Sequence, residues 1–384
     1  MARPATLEKS TPLTMRFNWQ ILLMSLLLLV VAFLVLTPLS LMVFNSFQLT
    51  RPGAPVVYGL DGWRKAFSSP GILDAMVNTF TLAITRQVIA LVIGIFIAWL
   101  LARTDIPMKG TLELFFWLSF FLPALPLTMG WILLLDPKYG LLNQWLLNLG
   151  LFKEPPFNIY SFWGIVWVHL SATIGIKVML LTPAFRNLDA ALEESSRIVG
   201  ASALGTLVRI VIPIMMPAIL ITTILGLIRS LEAFEIELIL GVPIGLHVYS
   251  TKIHELVTWE PPQFPPAMAL SALFLFLLLL LVALQRFYTG RKIYTTVTGR
   301  GFNVRPTPLG RWRYPAVVLA LLLALGITLI PTVLLVMGTF MKLFGFFNIP
   351  DPWTLDNWRQ ALSDPVLLRS LWNTIAIGIG AGIV

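Results

Sequence analysis

Acids, small residues and a few basic groups at fixed spacings are the side chains of this sequence that could do chemistry. Arg229, Glu232, Glu235 and Glu237 fall close together. Glu232 and Glu235 are three apart and share a helical face with Arg229, whereas Glu237 points elsewhere. Grouped carboxylate oxygens suit a hard cation such as Fe³⁺, which makes Arg229, Glu232 and Glu235 the candidate lining of a solute path; the competing reading is an Arg229–Glu232 pair within one helix plus interfacial anchoring. A second group runs from Glu193, Glu194, Ser195 and Ser196 through Gly200 and Ala201 to Ile210 and Pro213. Its acids and small residues suit contact with another protein rather than bond chemistry. The chain has no Cys and three His, His169, His247 and His254, so disulfides, thiolate metal sites and a Cys nucleophile are excluded. No catalytic residue, metal site or cofactor is assigned. A G-x-x-x-x-G-K-[ST] phosphate loop is absent, so ATP is not held here by that device.

The elements that position these residues are membrane helices. Over 384 residues the chain is 57% hydrophobic and 12% charged, against about 25% charged in soluble domains. Its mean hydropathy is +0.85. Charge-free stretches run from Phe17 to Thr50, Gln87 to Ala102, Leu114 to Leu135, Pro155 to Ile176, Ile210 to Ile228, Pro261 to Gln285 and Tyr314 to Met341, with another beginning near Asn373. Each run reaches or nears the roughly 20 residues that cross a bilayer, and helices satisfy their own backbone in lipid. Pro38, Pro123, Pro126, Pro213 and Pro217 are expected to bend these helices without ending them. Within the spans, Arg86 is expected to pair with one of the acids around residues 232–237. Lys177 is expected to extend its head to the inner surface, and His169 to hydrogen-bond a neighbouring helix. Gly378 and Gly382 form a weak close-packing signal.

With the N-terminus inside, 15 Lys and Arg fall on inner loops and nine on outer ones, the bias expected of a cytoplasmic N-terminus. The stretch from Arg286 to Arg313 has seven basic residues and no acid, which suits contact with anionic headgroups and explains much of the net charge of +9 without nucleic acid.

Residues 60–79 and 355–374 align without a gap at an offset of 295, with ten of twenty positions identical, from Leu60, Asp61, Trp63 and Arg64 to Leu355, Asp356, Trp358 and Arg359. Six spans separate equivalent points, so the repeat is parallel. Eleven residues follow Asn373, about 16 Å of helix. The expectation is an N-terminal fragment of a two-unit protein, with a second loop glycine near residue ~495 in the continuation.

The loop from Leu188 to Pro213 reads Glu194, two small residues, three residues, Gly200, nine residues, Ile210, one residue, Ile212 and Pro213. This resembles the EAA loop of the membrane subunits of ATP-binding-cassette (ABC) importers, with Ser195-Ser196 in place of Ala-Ala and Ile212 in place of Leu. Physically it reads as two short amphipathic helices joined at Gly200, where positive φ is needed. Ser195 and Ser196 let a partner approach, and Pro213 opens the next membrane helix. The resemblance implies that the loop docks an ATPase, with Glu194 as its polar anchor. Arg103-Thr104-Asp105, Pro183-Ala184-Phe185, Arg229 to Glu235 and Gly241 to Ile253 further resemble the fused permeases of bacterial iron(III) importers.

The fold expected from this resemblance is an all-α polytopic membrane protein, one six-helix type I ABC importer permease unit followed by the start of a second. Residues 1–20 form a cytoplasmic N-terminus, 21–288 the first unit with its coupling loop at 186–213, 289–313 a basic linker and 314–384 the start of the second unit. The expected function is permease, not enzyme. It passes a solute, iron(III) by the local likeness, from a periplasmic binding protein across the bacterial inner membrane, driven by two copies of a separate ATPase. Polyamine, thiamine and phosphonate are alternative solutes. A secondary transporter with parallel repeats is the alternative class, disfavoured because the second span leads into RTDIPMKG.

Overall fold

The computed structural model describes residues 19–49, 55–290 and 306–383. These fold into α-helices, with three isolated β-bridges among the described residues and no longer strand. In chain order the helices are α1 (Trp19–Asn45), α2 (Asp61–Ser68), α3 (Ile72–Arg103), α4 (Lys109–Phe121), α5 (Ala124–Leu135), α6 (Leu141–Asn148), α7 (Phe162–Arg186) and α8 (Ala190–Ile198). They continue as α9 (Ala203–Thr206), α10 (Ile212–Leu231), α11 (Tyr249–Thr258), α12 (Phe264–Gly290), α13 (Arg313–Ala324), α14 (Ile330–Thr339), α15 (Asp356–Ser363) and α16 (Pro365–Ile383). Most of the basic linker, residues 291–305, lies outside the described residues, as do residues 1–18.

Among the described residues seven helical runs are long and apolar enough to cross a membrane, and the α4–α5 pair makes an eighth if counted as one bent span. That pair turns through 105° where Pro123 and Pro126 remove backbone donors. The second span begins at Ile72, fifteen residues before the apolar run at Gln87. Asp74 lies exposed in its first turn and Arg86, paired with an acid, inside it, so a charge-free window underestimates the helix. The last span likewise begins at Pro365 rather than near Asn373.

The core forms where small residues let backbones meet. Ala75, Ala83, Ala90, Gly94 and Ala98 are buried along α3. A Cβ on Gly94 would run into the Lys177 side chain of α7, and one on Gly175 of α7 would run into the Phe116 carbonyl of α4. Leu82, Ile97, Phe116, Ile174 and Phe185 fill the space between these helices. The run from Gly310 to Thr339 packs across this core, against α5 above all. Gly130 of α5 faces the Pro331 carbonyl so closely that a Cβ there would overlap it.

Among the described residues three π-turns interrupt the rods, at Leu207–Val211, Glu237–Gly241 and Leu325–Leu329. Each ends two residues before a proline, Pro213, Pro243 and Pro331. The wider turn shifts the hydrogen-bond register just before a residue that cannot donate. At Pro213 this changes the sequence reading: the proline does not open the helix, because the helical rod runs unbroken from Ala203 to Leu231.

The two copies of the repeat share local geometry. Leu60 precedes α2 with φ −98° and ψ 3°, and Leu355 precedes α15 with φ −99° and ψ −1°. Arg64 lies 3.7 Å from Asp61, and Arg359 lies 3.3 Å from Asp356.

Candidate functional site

The loop between α7 and α10 is a helical hairpin. The Asp189 carboxylate accepts from the Ala191 N–H at 3.0 Å and starts α8. Gly200 closes α8 at φ +88° with open space around it, the left-handed conformation that favours glycine. The Ala201 N–H returns to the Ser196 carbonyl at 3.1 Å, and the Ser202 hydroxyl accepts from the Gly205 N–H at 3.1 Å. The second helix of the hairpin is therefore not separate, as α9 continues through the π-turn into α10.

The tip is exposed and apolar. Ile198 and Val199 are 87% and 88% exposed. Gly200 and Ala201 are exposed beside them, and Leu204 and Val208 continue the patch. Two β-branched side chains offered to water at a hinge call for a cover. Ser195 is exposed, with its hydroxyl bonded to the Ala191 carbonyl at 2.7 Å. Ser196, expected to meet a partner, is instead buried, and its hydroxyl lies 2.9 Å from that of Thr206, stapling the hairpin together. Ile210 is half-buried and Pro213 exposed.

The two glutamates divide their roles. Glu193 is buried, with Oε1 2.9 Å from Arg103 Nε at the end of α3. Glu194 is half-buried. The sequence reading named both, but nothing in the local pattern marked Arg103 as a partner; the signal available was that Arg103 follows an apolar span directly.

At the opposite end of the bundle the acids separate. The helix ends at Leu231, so Glu235 does not share a continuous helical face with Arg229, contrary to the spacing argument. Arg229 lies 3.8 Å from Glu232, both exposed, a pair contributing little. Glu235 is exposed. Glu237 turns inward at the first position of its π-turn: Oε1 lies 3.1 Å from Arg86 Nη1 and 2.8 Å from His169 Nε2. Arg86 also donates to the Ser230 carbonyl. One buried carboxylate thus ties its own turn to α3 and α7, and Arg86 adds the end of α10. His169 meets its expectation, and the acid for Arg86 is Glu237.

Lys177 does not extend to the surface. It is 2% exposed, and its ammonium donates to the Thr222 carbonyl at 3.4 Å, while Gln87 donates to the Thr223 carbonyl at 3.0 Å. A Cβ at Gly226 would strike both side chains, so that glycine makes the room they occupy. His247 lies 3.7 Å from Glu255, and the His254 ring stands against Phe234. Among the described residues no group of three His, Asp or Glu is placed to hold a metal ion.

No family model matches the chain. It is 26% identical over 392 residues to the probable ABC transporter permease protein y4fN of Sinorhizobium fredii, covering 98% of this chain and 66% of that protein. It is 27% identical over 205 residues to the spermidine/putrescine transport system permease protein PotB of Escherichia coli K12, covering 53% of this chain and 74% of that one. Neither name mentions iron. The chain thus spans about two thirds of the length of the first relative. Its fold is that of the permeases in the solved structure of a bacterial ABC transporter involved in the import of the acidic polysaccharide alginate, with a TM-score of 0.60 at 19% identity over 71% of this chain and 96% of that one. The relatives are permease subunits, not enzymes.

Proposed function

We propose that this chain is the membrane-spanning subunit of an ATP-driven, binding-protein-dependent importer, and that the hairpin at 188–213 receives the stroke of a separate ATPase present in two copies. The observation that carries the reading is mechanical. The exposed tip at Ile198–Gly200 is joined through α9 to an unbroken helical rod of 29 residues, about 43 Å long. Displacement of the tip is therefore carried along that rod to the far end of the bundle, with Gly200 as the compliant turn before it.

The hairpin end faces the cytoplasm in this reading, which places the N-terminus there too and the acids near residue 232 on the periplasmic side of the bacterial inner membrane. A periplasmic binding protein presents solute at that side. The solute is a small cation, and the exposed carboxylates of Glu232 and Glu235 suit its charge. Iron(III) is supported by the local sequence likenesses, and a polyamine by the similarity to PotB.

Co-purification with the ATPase from membranes tests the coupling reading. Gly200→Val, which puts a β-branched side chain at positive φ, is expected to lose the ATPase while the chain remains in the membrane. Retention at the native level would refute it. Uptake of labelled iron(III) and putrescine into vesicles separates the two solutes. Unchanged uptake of both in Glu232→Gln/Glu235→Gln at normal expression would remove the acids from the path.

A further inference from the structure

A buried ionic joint sits beneath the coupling hairpin. Arg103 is 0% exposed at the end of α3. Its Nε faces Glu193 at 2.9 Å, and its Nη1 donates to the Leu188 carbonyl at 2.9 Å, so one guanidinium grips α8 and the turn before it. The far oxygen of Glu193 accepts from the Thr307 hydroxyl at 3.5 Å.

Thr307 belongs to the segment that leads into α13, and it is tied to the same place by backbone. Its N–H donates to the Arg103 carbonyl at 2.7 Å, and its carbonyl accepts from the Asp105 N–H at 3.1 Å, forming a parallel bridge beside Thr104. The Leu309 N–H donates to Asp105 Oδ1 at 2.9 Å. Pro306 and Pro308 alternate with the two donating residues. A period of two puts each proline where no N–H is required.

We propose that Arg103 and Thr307 are positioning residues that make α8, the base of α3 and the start of α13 one rigid body, so that movement of the hairpin is delivered to α3 and α13 as well as to α10. This rests on the coupling function proposed for the hairpin. The compliant point is then Gly200, whose surroundings are open. A planar guanidinium fork holds Glu193 and Leu188 together, and a lysine reaches only one of them.

The test uses the complete permease with its ATPase and binding protein in liposomes. Arg103→Lys is expected to keep the ATPase bound while the ATP hydrolysed per solute carried rises about tenfold. A lower protein yield alone would leave that ratio unchanged. Because the chain has no Cys, a Thr104→Cys/Thr307→Cys pair gives a clean lock, with bridged neighbours within the roughly 4.4–6.8 Å that a disulfide spans. The bond is expected to form on oxidation and uptake to continue at the rate of the same variant kept reduced. Wild-type coupling in Arg103→Lys, loss of ATPase binding in that variant, failure of the bond to form, or arrest of uptake by the lock with recovery on reduction would each overturn the joint. Absence of ATPase from the unaltered chain would instead overturn the function on which it rests.

Discussion

Arg86 and Glu237, 151 residues apart, meet at 3.1 Å inside the bundle, each 2% exposed, and His169 shares the same carboxylate oxygen at 2.8 Å. Charges at such depth are stable only as a set. Breaking a buried pair by removing one partner costs about 3–5 kcal/mol, while replacing both with apolar groups is often near neutral.

Arg86→Met or Glu237→Met alone should therefore lower the thermal unfolding midpoint in detergent, by an amount corresponding to about 3–5 kcal/mol. The double variant should recover most of that loss. Equal loss in single and double variants would show that the pair does not bear on stability.

Gly130 has the Pro331 carbonyl where a Cβ would go. Both atoms are fixed to backbone, so α5 and α14 must separate to admit a methyl group. Gly130→Ala should cost about 1–3 kcal/mol, read by thermal unfolding. Gly110→Ala, with nothing within 4 Å of its Cβ position, should change little.

Gly200 at φ +88° has open space around it, so strain there is conformational and not steric. Gly200→Ala should weaken the hairpin by about 1–2 kcal/mol, and Gly200→Asn by less, since Asn adopts this conformation more readily. Proteolytic cleavage rates at the tip in the two variants would rank them.

Tyr249 donates its hydroxyl to the Leu270 carbonyl at 2.6 Å and docks α11 on α12. Burial raises its pKa above the ordinary tyrosine value. A raised folded-state pKa gives stability that is complete below the unfolded value of about 10 and is lost as pH rises beyond it. Alkaline titration should loosen α11 from α12 in the native chain. Tyr249→Phe should cost about 1 kcal/mol at neutral pH and remove that pH dependence; hydrogen exchange along α11 reads both.

Much of the architecture was legible locally. Hydropathy is a sum over neighbouring residues, so the apolar spans could be read from sequence windows; Pro123, expected to bend its helix without ending it, instead stands in the break between α4 and α5. Gly200 was legible for a similar reason, since a positive φ between two helical stretches favours one residue type. Span starts were misplaced where a charge had a distant partner, as at Arg86 in α3.

The sequence by itself determined that apolar helices cross a bilayer, and that an acidic, glycine-hinged hairpin stands between two of them. Both follow from short-range composition and backbone preference. Only the tertiary structure decided that Glu237 is the acid of the core, that Glu193 is held by Arg103, and that Ser196 binds Thr206. Those pairings depend on how far each helix is rotated about its axis, which is set by which small residues allow two backbones to touch.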